Sequence, residues 1–191
     1  MPDRSSAFVL QFRELTIDDV PLVGGKNAAL GEMVANFLPL GIAVPDGFAV
    51  TAAAYNHFLD AAGRRPAIER LLRGLDTRAI RDLARRGEAI RRLISTADLP
   101  DDLRTAIVAA YQELSGGAPA GIDVAGRSSA TAEDLPDASF AGQQETYLNI
   151  RGAAALAAGR QRNAADARRA AELVQQELRK LPMSREDSER A

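Results

Sequence analysis

Apolar residues run from Ala7 to Phe12 with little interruption, the pattern of a short strand, and Pro21-Leu22-Val23-Gly24-Gly25 is turn chemistry that feeds a helix from about Lys26 to Phe37. Leu30, Met33, Val34 and Phe37 recur at helical spacing, so one face of that helix is expected to be buried. Gly41 to Val50 reads as a strand broken by the turn Pro45-Asp46-Gly47, and Thr51 stands where an N-cap belongs for a helix through Leu59.

From Pro66 the period changes. Ile80, Leu83, Gly87, Ile90 and Ile94 recur at helical spacing, as do Leu103, Ile107, Ala110, Tyr111 and Leu114, which predicts a helical insertion or cap over about 64–115. The glycine-rich stretch from Ser115 to Gly121 reads as a loop, a strand at Ile122 to Ala125 delivers Arg127, and a last strand ends at Ile150. Past Arg151 alanine and arginine dominate, and Leu156 is the only large apolar residue before Leu173. A helix with so little to bury is marginal, and the end from Ser184 to Ala191 is expected to be disordered. The pattern as a whole predicts an α/β (α+β) domain over 1–152 and an Ala/Arg-rich helical tail over 153–191.

Composition narrows the chemistry. A chain of 191 residues buries about 70% of its unfolded surface, enough for one domain with an appendage. Cysteine is absent and His57 is the only histidine, so thiolate and multi-histidine metal centres are excluded and no metal site is expected. A net charge of −2 gives no reason to expect nucleic acid or an anionic membrane as partner, and the lack of a secretory or membrane-spanning run makes cytoplasm the expected compartment. Two lysines, Lys26 and Lys180, stand against twenty-two arginines. Lys26 draws notice because it directly follows two glycines.

Gly24-Gly25-Lys26-Asn27 at a helix start offers backbone amides, the positive end of a dipole and an ammonium, all of which favour phosphate. It departs from the standard nucleotide loop, with Val20 where that loop has glycine and Asn27 where it has a magnesium-binding hydroxyl. Taken alone it also fits a plain turn with a solvated lysine. Arg127, at a strand end and followed by Ser128 and Ser129, can aim a bidentate guanidinium, and the turn Ser139-Phe140-Ala141-Gly142 follows closely enough to converge on the same ligand. The carboxylates Glu133, Asp134, Asp137 and Glu145 read as a solvated loop surface, and His57, with no partner motif, as structural.

Three segments together, Val23 to Met33, Val44 to Phe48 and Arg127 to Thr146, closely resemble the N-terminal region of the phosphoenolpyruvate synthase family in order and spacing. The resemblance covers roughly Phe8 to Gly152. It implies the first part of an ATP-grasp nucleotide-binding domain, with ATP as ligand, Lys26 and Arg127 on its phosphates, and the turn of Ser139, Phe140, Ala141, Gly142 and Gln143 over them. The family reaction moves the β-phosphoryl group of ATP to a histidine on a swivelling domain and then to pyruvate, with magnesium. Its phosphohistidine, its pyruvate-binding barrel and its magnesium ligands have no counterpart in this sequence, so full activity is not expected of this chain alone. Oligomeric state is not implied.

Two departures carry expectations. Gly126 stands where the family has valine, and a glycine within a strand should loosen the arginine after it. From Ala153 the resemblance stops, as a truncated or frame-shifted gene would leave it. A relative phosphorylating another acceptor, of the rifampicin phosphotransferase type, shares the same ATP motifs, and a non-catalytic remnant or nucleotide-binding module is the reading from a different class.

Overall fold

The computed structural model describes residues 3–118, 121–129, 131, 134, 135, 138, 139 and 146–158. Among them the secondary structure is mixed, mainly helical with small antiparallel sheets. Strand β1 (Val9–Gln11) pairs with β2 (Phe48–Val50) in the register Val9 to Val50, Leu10 to Ala49 and Gln11 to Phe48. The two strands are short because Phe12–Glu14 turns into a 3-10 helix, and of the expected strand from Gly41 only its last three residues pair.

Side chains alternate across a strand, and here the alternation divides the protein's interior in two. Val9, Phe48 and Val50 pack with the helices α3 (Ala52–Asp60), α4 (Arg64–Leu72), α5 (Ile80–Ser95) and α6 (Asp101–Leu114). Leu10 and Ala49 point the other way, into a smaller core with Leu15, Val23 and Ala28. The helical core is built from Tyr55, Phe58, Leu59, Ile68, Leu72, Ile90, Ile94, Leu103 and Ile107, all buried. Burying a large aliphatic or aromatic side chain contributes about 1.5–3 kcal/mol, so this face carries most of the hydrophobic stabilisation. Thr51 caps α3 as its sequence position predicts, its hydroxyl accepting from Ala54 N–H at 3.2 Å and donating to Ala7 C=O at 2.6 Å.

Arg64 and His57 in this half are both engaged by neighbouring groups. Arg64 is buried with no carboxylate paired to it among the described residues; its guanidinium donates to the carbonyls of Phe58 (2.6 Å), Ala61 (3.0 Å) and Asp98 (2.9 Å) and lies 4.4 Å over the Phe58 ring. A buried cation is tolerable when its donors are satisfied in this way. His57 stacks on Phe8 at 4.8 Å and pairs with Asp102, whose carboxyl is held below its ordinary range first by His57 and then by the Leu103 N–H.

On the opposite face, the expected turn at Pro21 to Gly25 is instead a one-turn helix, α1 (Val20–Val23), followed by α2 (Gly25–Phe37). The buried side of α2 also differs from the large-residue stripe: it consists of Ala28, Gly31 and Val34, whereas Met33 and Phe37 are exposed. Leu15 is the reason. A Cβ on Gly31 would lie 2.4 Å from Leu15 Cβ and 2.7 Å from the Leu15 carbonyl oxygen, so only a residue without a side chain lets α2 approach. Ile80 is likewise exposed, because α5 turns Ile90 and Ile94 inward.

The second sheet holds β3 (Asp123–Arg127) against β6 (Thr146–Arg151). Between them, β4 (Asp134–Leu135) pairs with β5 (Ala138–Ser139). After β6 a short helix, α7 (Ala153–Ala158), begins the Ala-rich segment. The remainder of the tail lies outside the described residues.

Candidate functional site

The site begins where α1 ends. Gly24 has φ 80° and ψ 157°, a conformation that favours glycine, while its N–H closes α1 on the Val20 carbonyl at 2.8 Å. The chain thereby turns and restarts as α2, whose first backbone bond runs from Ala28 N–H to Gly24 C=O at 3.1 Å. The first turn of α2 therefore presents helix N-terminal amides and the positive end of the dipole at Gly25, Lys26 and Asn27. Lys26 is half-buried there.

The Val23 carbonyl lies between the two helices and accepts two side chains. Asn27 Nδ2 donates to it at 2.8 Å, and Ser129 Oγ, 106 residues further along, donates at 3.0 Å. This gives Asn27 a place in the turn that its sequence position did not reveal. Ser129 is 7% exposed, and its bond brings the end of β3 against the glycine turn. The Gly24-Gly25-Lys26 turn and the end of the strand bearing Arg127 thus meet at one point.

Strand β3 is held at its other end as well. The Tyr111 hydroxyl accepts from Ile122 N–H (3.0 Å) and Gly152 N–H (2.8 Å) and donates to Ile122 C=O (2.6 Å). Asp123 and Arg151, opposite each other in the register, form a bidentate pair at 2.8 and 2.5 Å that holds the Asp123 carboxyl below its ordinary range. Midway, β6 bulges: Leu148 and Asn149 together oppose Ala125, with Asn149 at φ 59°, a region that asparagine tolerates. Gly126 follows the bulge, and the space its side chain would take is filled by Ile150, whose Cδ1 would be 2.9 Å from an added Cβ. The expected loosening at Gly126 is set against these anchors on both sides.

At the tip Arg127 is exposed and Ser128 is half-buried. The Ser128 hydroxyl oxygen is buried and has no hydrogen-bond partner among the described residues. A cavity of about 550 Å³ opens beside it. Its polar lining is Asn27, Asp46, Asp123, Arg127, Ser128, Ser129 and Tyr147, and its apolar lining includes Phe12, Leu30, Phe48, Ile107 and Ile150. Lys26 is not part of that lining; it stands next to Asn27 on the first turn of α2. The turn Pro45-Asp46-Gly47 reaches the cavity because Gly47 lies against the Phe12 ring, where a Cβ would be only 2.6 Å from Cε2, and Asp46 Oδ1 accepts the Gly47 N–H at 2.8 Å.

Of the remaining candidate residues, Ser139 lies in β5, paired with Asp134. Phe140, Ala141, Gly142 and Gln143 lie outside the described residues, as do Glu133, Asp137 and Glu145. Among the described residues no three histidine, aspartate or glutamate side chains gather into a metal-holding group, and no helix is long and apolar enough to cross a membrane.

Over 152 residues the chain is 55% identical to the phosphoenolpyruvate synthase of Aquifex aeolicus, covering 79% of this chain and 18% of that protein. It is 49% identical to the phosphoenolpyruvate synthase of Escherichia coli over 148 residues, 78% of this chain and 19% of that protein, and 45% identical to a probable phosphoenolpyruvate synthase of Methanothermobacter thermautotrophicus over 152 residues. The chain spans about a fifth of the length of these relatives. The matches to phosphoenolpyruvate synthases cover 76–79% of the chain, in keeping with a resemblance that ends near Gly152, whereas the model of the pyruvate phosphate dikinase AMP/ATP-binding domain matches residues 20–182, which takes in both candidate phosphate elements and runs past that point. With most of its length inside that match, the chain belongs to the pyruvate phosphate dikinase AMP/ATP-binding domain family.

Proposed function

We propose that this chain binds ATP, with the triphosphate held between the α2 N-terminus and the tip of β3, and that it serves a phosphoenolpyruvate synthase as its nucleotide-binding, ATP-grasp part. One observation carries the reading: Ser129 Oγ to Val23 C=O joins the Gly24-Gly25-Lys26 turn to the strand end bearing Arg127, within a domain of an AMP/ATP-binding family.

The roles follow from the chemistry of each group. Lys26 supplies a compact ammonium beside helix N-terminal amides, and Arg127 supplies a planar fork suited to two phosphate oxygens. Ser128, with its buried hydroxyl unpartnered among the described residues, donates to the same phosphates. Ser139, Phe140, Ala141, Gly142 and Gln143 cover the phosphates in this reading. Cations fixed at those positions stabilise charge on the phosphoryl group as it transfers, which is most of what a protein contributes to that reaction. The overall reaction converts ATP, pyruvate and water to AMP, phosphoenolpyruvate and phosphate. Pyruvate and the phosphoryl-accepting histidine belong to other parts of the relatives' length, since His57 here is engaged by Phe8 and Asp102. The magnesium that the family uses finds no gathered donor set among the described residues, so its ligands are assigned outside them.

The reading is tested by calorimetric titration of the full chain with ATP. Binding in the millimolar range or tighter is expected. Lys26→Ala and Arg127→Ala should each weaken it by about tenfold or more, the loss of a charge-assisted hydrogen bond, while leaving the nucleotide-free thermal midpoint in place. Absence of binding, or binding by both variants as tight as that of wild type, refutes it.

A further inference from the structure

We infer that Ser129 is a positioning residue for the phosphate grip: its hydroxyl sets the spacing between the lysine turn and the arginine strand. The inference rests on the ATP-binding reading above, which uses the same contact as evidence that the two elements meet, and deepens it by giving that contact a part in ATP affinity.

The two serines after Arg127 have opposite fates. Ser128 keeps a hydroxyl unpartnered among the described residues beside the cavity, whereas Ser129 is buried and its hydroxyl is spent on the Val23 carbonyl at 3.0 Å. Val23 is the last residue of α1, and the backbone ladder of α2 opens on the Gly24 carbonyl, so the Val23 carbonyl belongs to neither ladder. It is the carbonyl immediately before the Gly24 pivot, at φ 80°, that sets the direction of α2. A bond to that atom from the residue two places after Arg127 fixes the strand tip relative to the pivot without consuming either cation. Asn27 donates to the same oxygen at 2.8 Å from within α2, so pivot, helix and strand share one acceptor. A misplacement of about 1 Å between groups that must grip one ligand is enough to lose much of their joint effect.

The shared acceptor also makes the inference testable without unfolding the protein. In Ser129→Ala the Val23 carbonyl keeps the Asn27 amide, so it is not orphaned. The full-length variant should bind ATP about three- to tenfold more weakly than wild type, with a nucleotide-free thermal midpoint close to wild type. Combined with Lys26→Ala, Ser129→Ala should add little further loss, because a positioning residue has nothing left to position. Unchanged ATP affinity in Ser129→Ala overturns the inference, as does a loss that repeats in full in the Lys26→Ala background or only follows a fall in the midpoint. If wild type itself binds no ATP, the ATP reading fails, and amide exchange decides the tether without nucleotide. Faster exchange at Ala28 in Ser129→Ala supports it, and unchanged exchange overturns it.

Discussion

The two faces of the β1–β2 pair are built from different materials. One face packs against four helices through leucines, isoleucines, Tyr55 and Phe58, and its energy comes from buried volume. The other meets Leu10, Leu15, Val23, Ala28 and Ala49, with Gly31 and Gly47 at the closest approaches, and there small residues let backbones come together. Val23 and Ala28, which flank the glycine turn of the proposed phosphate site, pack on the second face, while the cavity beside that turn is also lined by Phe48, Leu99 and Ile107 of the first. A ligand gripped by helix amides and a turn needs backbone at short range, and large side chains would hold it away. Bulk on one side gives the sheet its stability, and the lack of bulk on the other lets α2 approach Leu15 closely.

This contrast can be broken most forcefully from the helical side. Leu103, fully buried on α6, should cost about 2–5 kcal/mol on substitution by alanine, measured by urea unfolding, because the site loses both transfer energy and packing. A loss below about 1 kcal/mol would mean that this face is not close-packed and the contrast is false. The opposite change tests the opposite face. Gly31→Ala adds only one methyl, yet it meets Leu15 backbone as well as its Cβ, so a loss of about 1–3 kcal/mol from overpacking is expected, with α2 displaced and ATP binding weakened alongside. Retention of both stability and affinity would show that α2 has room to move.

A smaller and pH-dependent effect belongs to Asp19, buried just before α1. Burial pushes its carboxyl up, but the Thr16 N–H at 2.8 Å and Arg4 at 3.0 Å outweigh burial and leave it below the ordinary aspartate range. A folded-state value below the unfolded one means that the unfolded chain takes up the proton first as pH falls. The stabilisation is present above about pH 4 and is lost as pH drops through the folded value. Asp19→Asn should thus be less stable than wild type at pH 6, and the gap should close on acidification below about pH 4; a gap independent of pH excludes this linkage. The smallest effect is expected at Gly126→Ala. The new Cβ meets only the end of the Ile150 side chain, which can rotate away, so a change within about 1 kcal/mol of wild type is expected by thermal melt. A larger loss would show that the space beside the bulge is as tightly filled as the space beside Leu15.

Legibility in the sequence followed the range of the interaction. The helices α3, α5 and α6 stand close to their expected bounds, since Thr51 caps α3 and the stripes of Ile90 with Ile94 and of Leu103 with Ile107 recur at helical period. The α2 helix was legible in extent but not in face, because Met33 and Phe37 are more hydrophobic than Gly31 and only the position of Leu15 makes the glycine the buried residue. Strand β3 with Arg127 at its end was legible. The roles of Asn27, Ser129 and Tyr111 were not, since each depends on a partner carbonyl or amide brought near by folding.

The sequence alone determined the family, the main helices and the pair of elements chemically suited to phosphate, because those rest on local order, period and side-chain type. Tertiary structure decided which faces are buried and that the two elements meet, because a hydrogen bond across 106 residues leaves no local trace in either segment it joins.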